Sequence, residues 1–367
     1  MTEDLSYSIE LFHLLHANPG VSGNESVAHN LVVDELRRLS PHDLYEHVGG
    51  YGVVAVWYAD GSDRTQAPTL AFRADIDALP GGHLCGHDGH TTILLRFARK
   101  VAESSRRCHI MLIFQPEEET GMGARKIIES GILQRYDIRG IFGLHNLPGY
   151  AKNCVVLNRH TFAAASTGVI YSLSGRPTHA STPELGLNPA LASAQIIQRV
   201  LALNGGNPES RSFRQATLIC CHVGDEEFGV SPGTGKVMFT LRAYTNDEME
   251  HLTADVDAIV VEVAQQQGLR MTKELREPFR ATENSASVVD ELHALFTHQG
   301  LSVSMMDHPF RWSEDFADYL HHFPGMFFGI GIGEDARPLH DAEYQFSTDI
   351  IATAVNCFEL IMNNVSI

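Results

Sequence analysis

The 367-residue sequence predicts an α/β fold: a mostly parallel sheet flanked by helices, carrying an inserted ferredoxin-like α+β domain. Three observations lead there. Apolar runs of strand length alternate with helix-length stretches through residues 52–144, the pattern of parallel strands joined by crossover helices. From 167 to 275 the order becomes β-α-β-β-α-β, that of a ferredoxin-like unit. The length exceeds the usual reach of one hydrophobic core, so two domains are expected. Their boundaries fall at 1–161 with 276–367 for the main domain, and 162–275 for the insert.

Each element has its own signal. Residues 5–40 read as a helix, a Pro19-Gly20 turn and a second helix over 25–39, with Asn24 placed to cap it. Strands follow at 52–57, 69–74 and 109–114. A helix over 91–102 separates the last two, another covers 123–130, and a strand over 140–144 ends at His145. The insert supplies strands at 167–173, 215–222, 236–244 and 269–275, with helices over 188–203 and 247–267. A helix at 287–296, a strand at 325–332 and a final helix at 347–362 return to the main domain. Polar residues sit at or just beyond strand ends: Arg73, Asp75 and Asp77, then Glu118 and Glu119, then His145. In open α/β sheets the crevice at those ends is where sites form.

Composition excludes several classes of partner. Acidic residues outnumber basic ones, 45 to 27, giving a formal charge of −18. That balance argues against nucleic acid or an anionic membrane surface as partner. No apolar run approaches the ~18 residues of a membrane span, and no basic-then-apolar leader opens the chain. Six cysteines without a CxxC pair fit reduced thiols, and the expected location is cytoplasmic.

The segment His83-Leu84-Cys85-Gly86-His87-Asp88-Gly89-His90 concentrates thiol, imidazole and carboxylate, the side chains that bind zinc and similar cations. Glu117-Glu118-Glu119 follows a buried-type strand. Read alone it is an acidic helix start, favoured by the macrodipole. Beside a His/Cys cluster, one glutamate can bind a cation while its neighbour takes a proton from the activated water. His145, His340 and His179 each read alone as ordinary histidines, and Ser313-Glu314-Asp315-Phe316 as a capping box.

These segments, in order, resemble the motifs of one family. They are Arg73-Ala-Asp75-Ile-Asp77-Ala-Leu-Pro80, the His83–His90 octapeptide, Phe114-Gln-Pro-Glu-Glu118-Glu119, Gly143-Leu-His145-Asn, Gly175-Arg-Pro-Thr-His179-Ala, Ser313-Glu-Asp-Phe316 and Leu339-His340. The family is that of the dinuclear metallo-amidohydrolases and metallopeptidases, which includes hippurate hydrolases, aminoacylases and indole-acetyl-amino-acid hydrolases. The resemblance covers nearly the whole chain and implies a zinc-peptidase-like fold. It implies two divalent metal ions held by Cys85, His87, Glu119, His145 and His340, with Glu118 as general base. It further implies His179 as an oxyanion donor from the insert, Asp75 and Asp88 as carboxylates behind the ligands, and a homodimer or higher homo-oligomer through the insert. A thiolate and three imidazoles favour zinc over magnesium or calcium, with manganese, cobalt or nickel as alternatives. Arg242 is a candidate for binding a substrate carboxylate.

The resemblance thus implies a metal-dependent hydrolase of N-acyl amino acids or similar small linear amides. A dipeptidase on the same scaffold and a non-catalytic metal-binding relative are the alternatives. A zinc deaminase would carry a Pro-Cys-x-x-Cys element, which this chain lacks. Three places depart from the family's pattern. Only Gly81-Gly82 separates Pro80 from His83, Ser181-Thr182-Pro183-Glu184 follows His179-Ala180, and Gly229-Val-Ser-Pro232 replaces Asn-Val-Ile-Pro. All three bear on substrate rather than on metal.

Overall fold

A computed structural model of the protein describes residues 3–64, 67–205, 207 and 210–365. The chain divides into two compact units, 1–162 with 282–307 and 315–367, and 163–281 with 308–314.

The larger unit is built on an eight-stranded sheet among the described residues. Its spatial order is Asp43–Val48, Gly52–Trp57, His109–Gln115, Thr69–Asp75, Ile138–Pro148, Gly325–Gly333, Val155–Leu157 and Val303–Met305. The four central strands, from His109–Gln115 to Gly325–Gly333, run parallel to one another. Antiparallel pairing begins at Gly52–Trp57 on one side and at Val155–Leu157 on the other. Every residue of Thr69–Asp75 and of His109–Gln115 is buried, as expected of central strands covered on both faces. The largely parallel α/β sheet is therefore as the sequence predicts. The short strands 43–48, 155–157 and 303–305 lie outside the expected set; two of them have only three residues and carry little periodicity.

The helix His87–Glu103 packs on Glu3–His16, Ser26–Leu39 and Ile351–Asn364. Phe72 of the central strand meets Phe97 and Phe358 at centroid distances of 4.8 and 5.2 Å. Two boundaries differ from expectation. The helix expected over 91–102 begins at His87, launched by Gly86 at φ 95°. A Cβ there would lie 2.4 Å from Asn146 Oδ1, so both the backbone and the space require glycine. Asn24 does not cap the second helix; Glu25 takes that position, and its carboxylate instead accepts from the Gly23 and Glu117 amides at 2.8 and 3.0 Å.

The smaller unit has a four-stranded antiparallel sheet in the order Arg270–Phe279, Ala165–Ser174, Thr234–Ala243, Arg214–Val223. Helices Ala190–Leu201 and Asn246–Gln266 pack on it around Val169, Tyr171, Ile196, Val237, Phe239 and Val260. This is the ferredoxin-like arrangement. Thr245 caps the longer helix, its Oγ1 accepting from the Glu248 amide at 3.1 Å. A two-residue ribbon pairs Thr178–His179 with Val230–Ser231. The last strand continues to Phe279, past the boundary expected at 275, and 308–314 also belongs to this unit.

Candidate metal centre

The parallel strands end in a cluster of donors. Thr69–Asp75 delivers Asp75, and Asp77 follows it. His109–Gln115 leads to Glu118 and Glu119 in a one-turn 3-10 helix, Glu118–Thr120. Ile138–Pro148 carries His145 within its length. Cys85 and His87 stand at the start of the helix His87–Glu103, and His340 lies in a loop. Glu117 and His340 are non-glycine residues with left-handed backbones, at φ 55° and 67°. Such conformations persist where the surroundings over-determine them, often at functional sites.

Cys85 Sγ lies 3.5 Å from His145 Nε2. His87 Nε2 lies 3.7 Å from Asp75 Oδ2, 4.0 Å from Glu118 Oε2 and 3.9 Å from Glu119 Oε1. His340 Nε2 is 3.8 Å from the same Glu119 oxygen. Among the described residues five overlapping groups have ligand atoms within 4.8 Å of one another, and three of them consist of the expected ligands and Glu118: Cys85/His87/His145, Cys85/Glu119/His340 and His87/Glu118/Glu119. Cys85 and His87 each belong to two of these three. The structure thus brings together all five expected ligands and Glu118.

The donors are also prepared for a cation. His87 Nδ1 faces the Asp77 carbonyl and Oδ1 at 3.1 and 3.2 Å. His145 Nδ1 faces the Asn146 carbonyl at 2.8 Å. With Nδ1 protonated in each ring, Nε2 is the lone-pair nitrogen turned to the cluster. His87 Nε2 and Glu119 Oε1 are buried and without a hydrogen-bond partner among the described residues. Buried polar atoms are ordinarily satisfied, so these two fit a bound cation, as does the mixed sulfur, nitrogen and oxygen donor set.

In the metal-free cluster the two rings are not held alike: His145 is kept neutral, whereas the anionic surroundings of His87 favour a positive charge at that position. Burial pushes the His145 imidazole well below its ordinary range, keeping it neutral. Burial also pulls His87 down, but Asp75, Cys85 and Asp77 outweigh it and hold the ring well above its usual range. Burial raises the Glu119 carboxyl against the opposing pull of His87. For Asp75 burial acts upward too, yet His87, His90 and Arg73 hold it well below the carboxylate range. Burial pushes the Cys85 thiol up. A divalent cation inverts that logic, because a coordinating thiol is deprotonated outright.

The carboxylates behind the ligands are distributed differently from expectation. Asp75 accepts from His90 Nδ1 at 2.7 Å and from Arg73 at 2.8 Å. Asp88 turns away from the ligands: it meets His16 Nδ1 at 2.6 Å and accepts the Gly89 amide at 2.9 Å. At the second position of the helix it serves one of the first-turn amides that have no intrahelical partner. Asp77 takes the role expected of Asp88, contacting His87, the Glu119 amide at 3.0 Å and Ser22 Oγ at 2.7 Å. Its signal was present in the sequence, two residues after Asp75 at the same strand end. His90 bridges Asp75 to Asn146 Oδ1, at 2.7 Å to each. His83 is buried, stacked on His16 at 6.1 Å.

Two expected site residues belong to the smaller unit. His179 is exposed on the ribbon, with Nδ1 2.6 Å from Ser181 Oγ. Arg242 donates to the Arg311 carbonyl at 2.5 Å and lies 3.3 Å from Ser313 Oγ. Those bonds tie 308–314 to its own unit, a structural use of the guanidinium. The Ser313–Phe316 motif is not a capping box: Asp315 is buried and accepts from Arg73 and Gln115.

Donors of this kind at the ends of parallel strands, with two adjacent glutamates among them, suit metal-dependent hydrolysis. The chain belongs to peptidase family M20/M25/M40, whose model matches residues 71–364. It is 26% identical to the hippurate hydrolase of Campylobacter jejuni over 372 residues, covering 94% of this chain and 93% of the relative. Among solved structures it is similar to a dinuclear metal-binding M20 peptidase of Bacillus subtilis. That match has a TM-score of 0.83 and 20% identity, covering 99% of this chain and 98% of the other. It is also similar to an aminobenzoyl-glutamate utilization protein of Klebsiella pneumoniae, with TM-score 0.73 and 21% identity over 98% and 95%. No helix among the described residues is long and apolar enough to cross a membrane.

Proposed function

We propose that this protein hydrolyses the amide bond of N-acyl amino acids, with Cys85, His87, Glu119, His145 and His340 holding two divalent ions. The observation that carries this reading is the unpartnered pair His87 Nε2 and Glu119 Oε1, set among sulfur, imidazole and carboxylate donors with Glu118 beside them. When bound, the ions would supply Lewis-acid polarisation of the carbonyl and lower the pKa of the attacking water. Glu118 takes the proton of that water and returns it to the departing amine. Asp77 and the Asn146 carbonyl keep the ligating nitrogens of His87 and His145 turned to the cluster. His179, from the smaller unit, donates to the oxyanion of the tetrahedral intermediate. Zinc suits the thiolate and imidazoles best, with manganese, cobalt and nickel as the competitors.

The hippurate hydrolase relative supports an acylated amino acid as substrate. A dipeptide is the second reading, supported by the peptidase among the structural neighbours. Assaying acetyl-, benzoyl- and longer acyl-amino acids beside dipeptides separates the two. The Glu118→Gln variant tests the mechanism: it is expected to keep its metal, measured by plasma emission, and to lose hydrolysis. A fully active variant would sink the role of Glu118. A homo-oligomer through the smaller unit is part of the proposal. Its support is that Arg214–Val223 and Arg270–Phe279 are long, largely exposed edge strands. Light scattering of the full chain tests it, and a monomer at all concentrations overturns it.

A further inference from the structure

Behind the ligands lies a buried polar layer that the proposed reaction leaves without a task. Arg73 is 2% exposed. Its Nε donates to Gln115 Oε1, and its two terminal nitrogens donate to Asp75 Oδ2 and Asp315 Oδ1, each at 2.8 Å. Asp315, also 2% exposed, accepts two more bonds from Gln115 Nε2, at 2.8 and 2.7 Å, and one from the Ala124 amide at 3.0 Å. The Asp315 amide donates to Glu118 Oε1 over 3.4 Å. The Phe316 ring lies 5.9 Å from the guanidinium carbon.

Stability is a weak reason for such an arrangement. Desolvating buried ion pairs consumes most of their attraction, and apolar replacements of similar volume are often neutral or stabilising. Geometry is the stronger reason. A guanidinium is a planar fork whose donors hold fixed directions, so it sets the spacing between the groups it binds. Here the fork joins three segments. Asp75 ends one strand beside His87, Gln115 ends the next, and Asp315 holds the amide of Ala124 just beyond the Glu118–Thr120 turn. Asp315 also reaches the Glu118 carboxylate through its own backbone.

We propose that Arg73 and Asp315 form a positioning pair that fixes the Glu118–Thr120 turn, and with it the Glu118 carboxylate, against the Asp75 side of the site. Neither residue is itself catalytic; both act through Glu118. Arg73→Lys keeps the charge but loses the fork, and Asp315→Asn replaces an acceptor by a donor that faces other donors.

The test uses the full chain in both variants, with two readouts. In the zinc-loaded protein kcat is expected to fall roughly 100-fold, the scale set by a misplacement of about 1 Å, with KM and metal content unchanged. In the metal-free protein, amide hydrogen exchange is expected to quicken at 117–124 and to stay as in the wild type along the central strands. The double variant Arg73→Met/Asp315→Leu removes both charges together and guards against a single variant that does not fold. It is expected to remain folded and to show the same local exchange and the same loss of kcat. Unchanged exchange at 117–124 overturns the proposal, as does faster exchange spread through the strands, which marks a purely structural pair. The kcat arm rests on the amide-hydrolase reading; the exchange arm does not. A wild type inactive on every acylated amino acid and dipeptide therefore sinks that reading and leaves the positioning pair to be decided by exchange.

Discussion

At Asp77 a single carboxylate meets three segments: the Ser22 hydroxyl, the Glu119 amide and the His87 ring. It therefore sets the tautomer of one proposed ligand and the backbone position of another. Carboxylates in that position are commonly worth 10- to 100-fold in metal affinity, so Asp77→Asn is expected to weaken binding by about that factor. Competition with a calibrated chelator measures it, and wild-type affinity would remove the role. Gly86 is the second residue with a sharp expectation. Its φ of 95° and the 2.4 Å approach of Asn146 Oδ1 leave no room for a methyl group. Gly86→Ala should cost about 1–3 kcal/mol in urea unfolding, the usual range for backbone forced into a rare region. At this scale the sequence was legible where chemistry is dense within a few residues, as in Cys85-Gly-His87. It was not legible for the choice between Asp77 and Asp88, because that choice depends on which carboxylate the strand end turns toward His87. Asp315 was hidden for the same reason: its partners Arg73 and Gln115 lie far away in the chain.

The elements that carry the site are those whose local rules are bent. The helix His87–Glu103 opens on a first turn of His87, Asp88, Gly89 and His90, all buried. Periodicity placed its start at residue 91 because a helix is ordinarily recognised by an apolar face. Here the first turn faces polar partners instead. The turn Glu118–Thr120 follows a left-handed Glu117, whose side chain is held by Lys126 Nζ at 2.6 and 2.7 Å. The ribbon Thr178–His179 with Val230–Ser231 is short and leaves His179 exposed. Its expected use is tested by His179→Ala, which should lower kcat roughly 100- to 1,000-fold, the cost of one oxyanion donor. Metal content should stay at the wild-type level. Loss of metal would instead make His179 a ligand.

For the whole molecule, the two units give a way to localise cation binding. All five proposed ligands lie in the larger unit. Ligand bound at 1,000 times its Kd stabilises the folded form by about 4 kcal/mol. For a unit of this size that corresponds to about 10 °C in Tm. Calorimetry with and without chelator is expected to show a shift of that order in the larger unit's transition and none in the smaller unit's. Equal shifts in both would refute a centre confined to one unit. The mostly parallel sheet and the ferredoxin-like order were readable because long strands and helices repeat their pattern. The assignment of 308–314 to the smaller unit was not, because it depends on bonds such as that from Arg242 to the Arg311 carbonyl.

The burial that raises the Cys85 thiol also governs how the metal-free chain ages. Cys85, Cys108, Cys154 and Cys357 are buried, while Cys220 and Cys221 lie on the surface of an edge strand. A protonated, enclosed sulfhydryl is a poor nucleophile toward alkylating reagents and peroxide. The stripped protein should therefore shield its own ligand sulfur. Brief iodoacetamide labelling of the apoprotein, read by mass spectrometry, should leave Cys85 unmarked. Protein so treated should still accept zinc, measured by plasma emission.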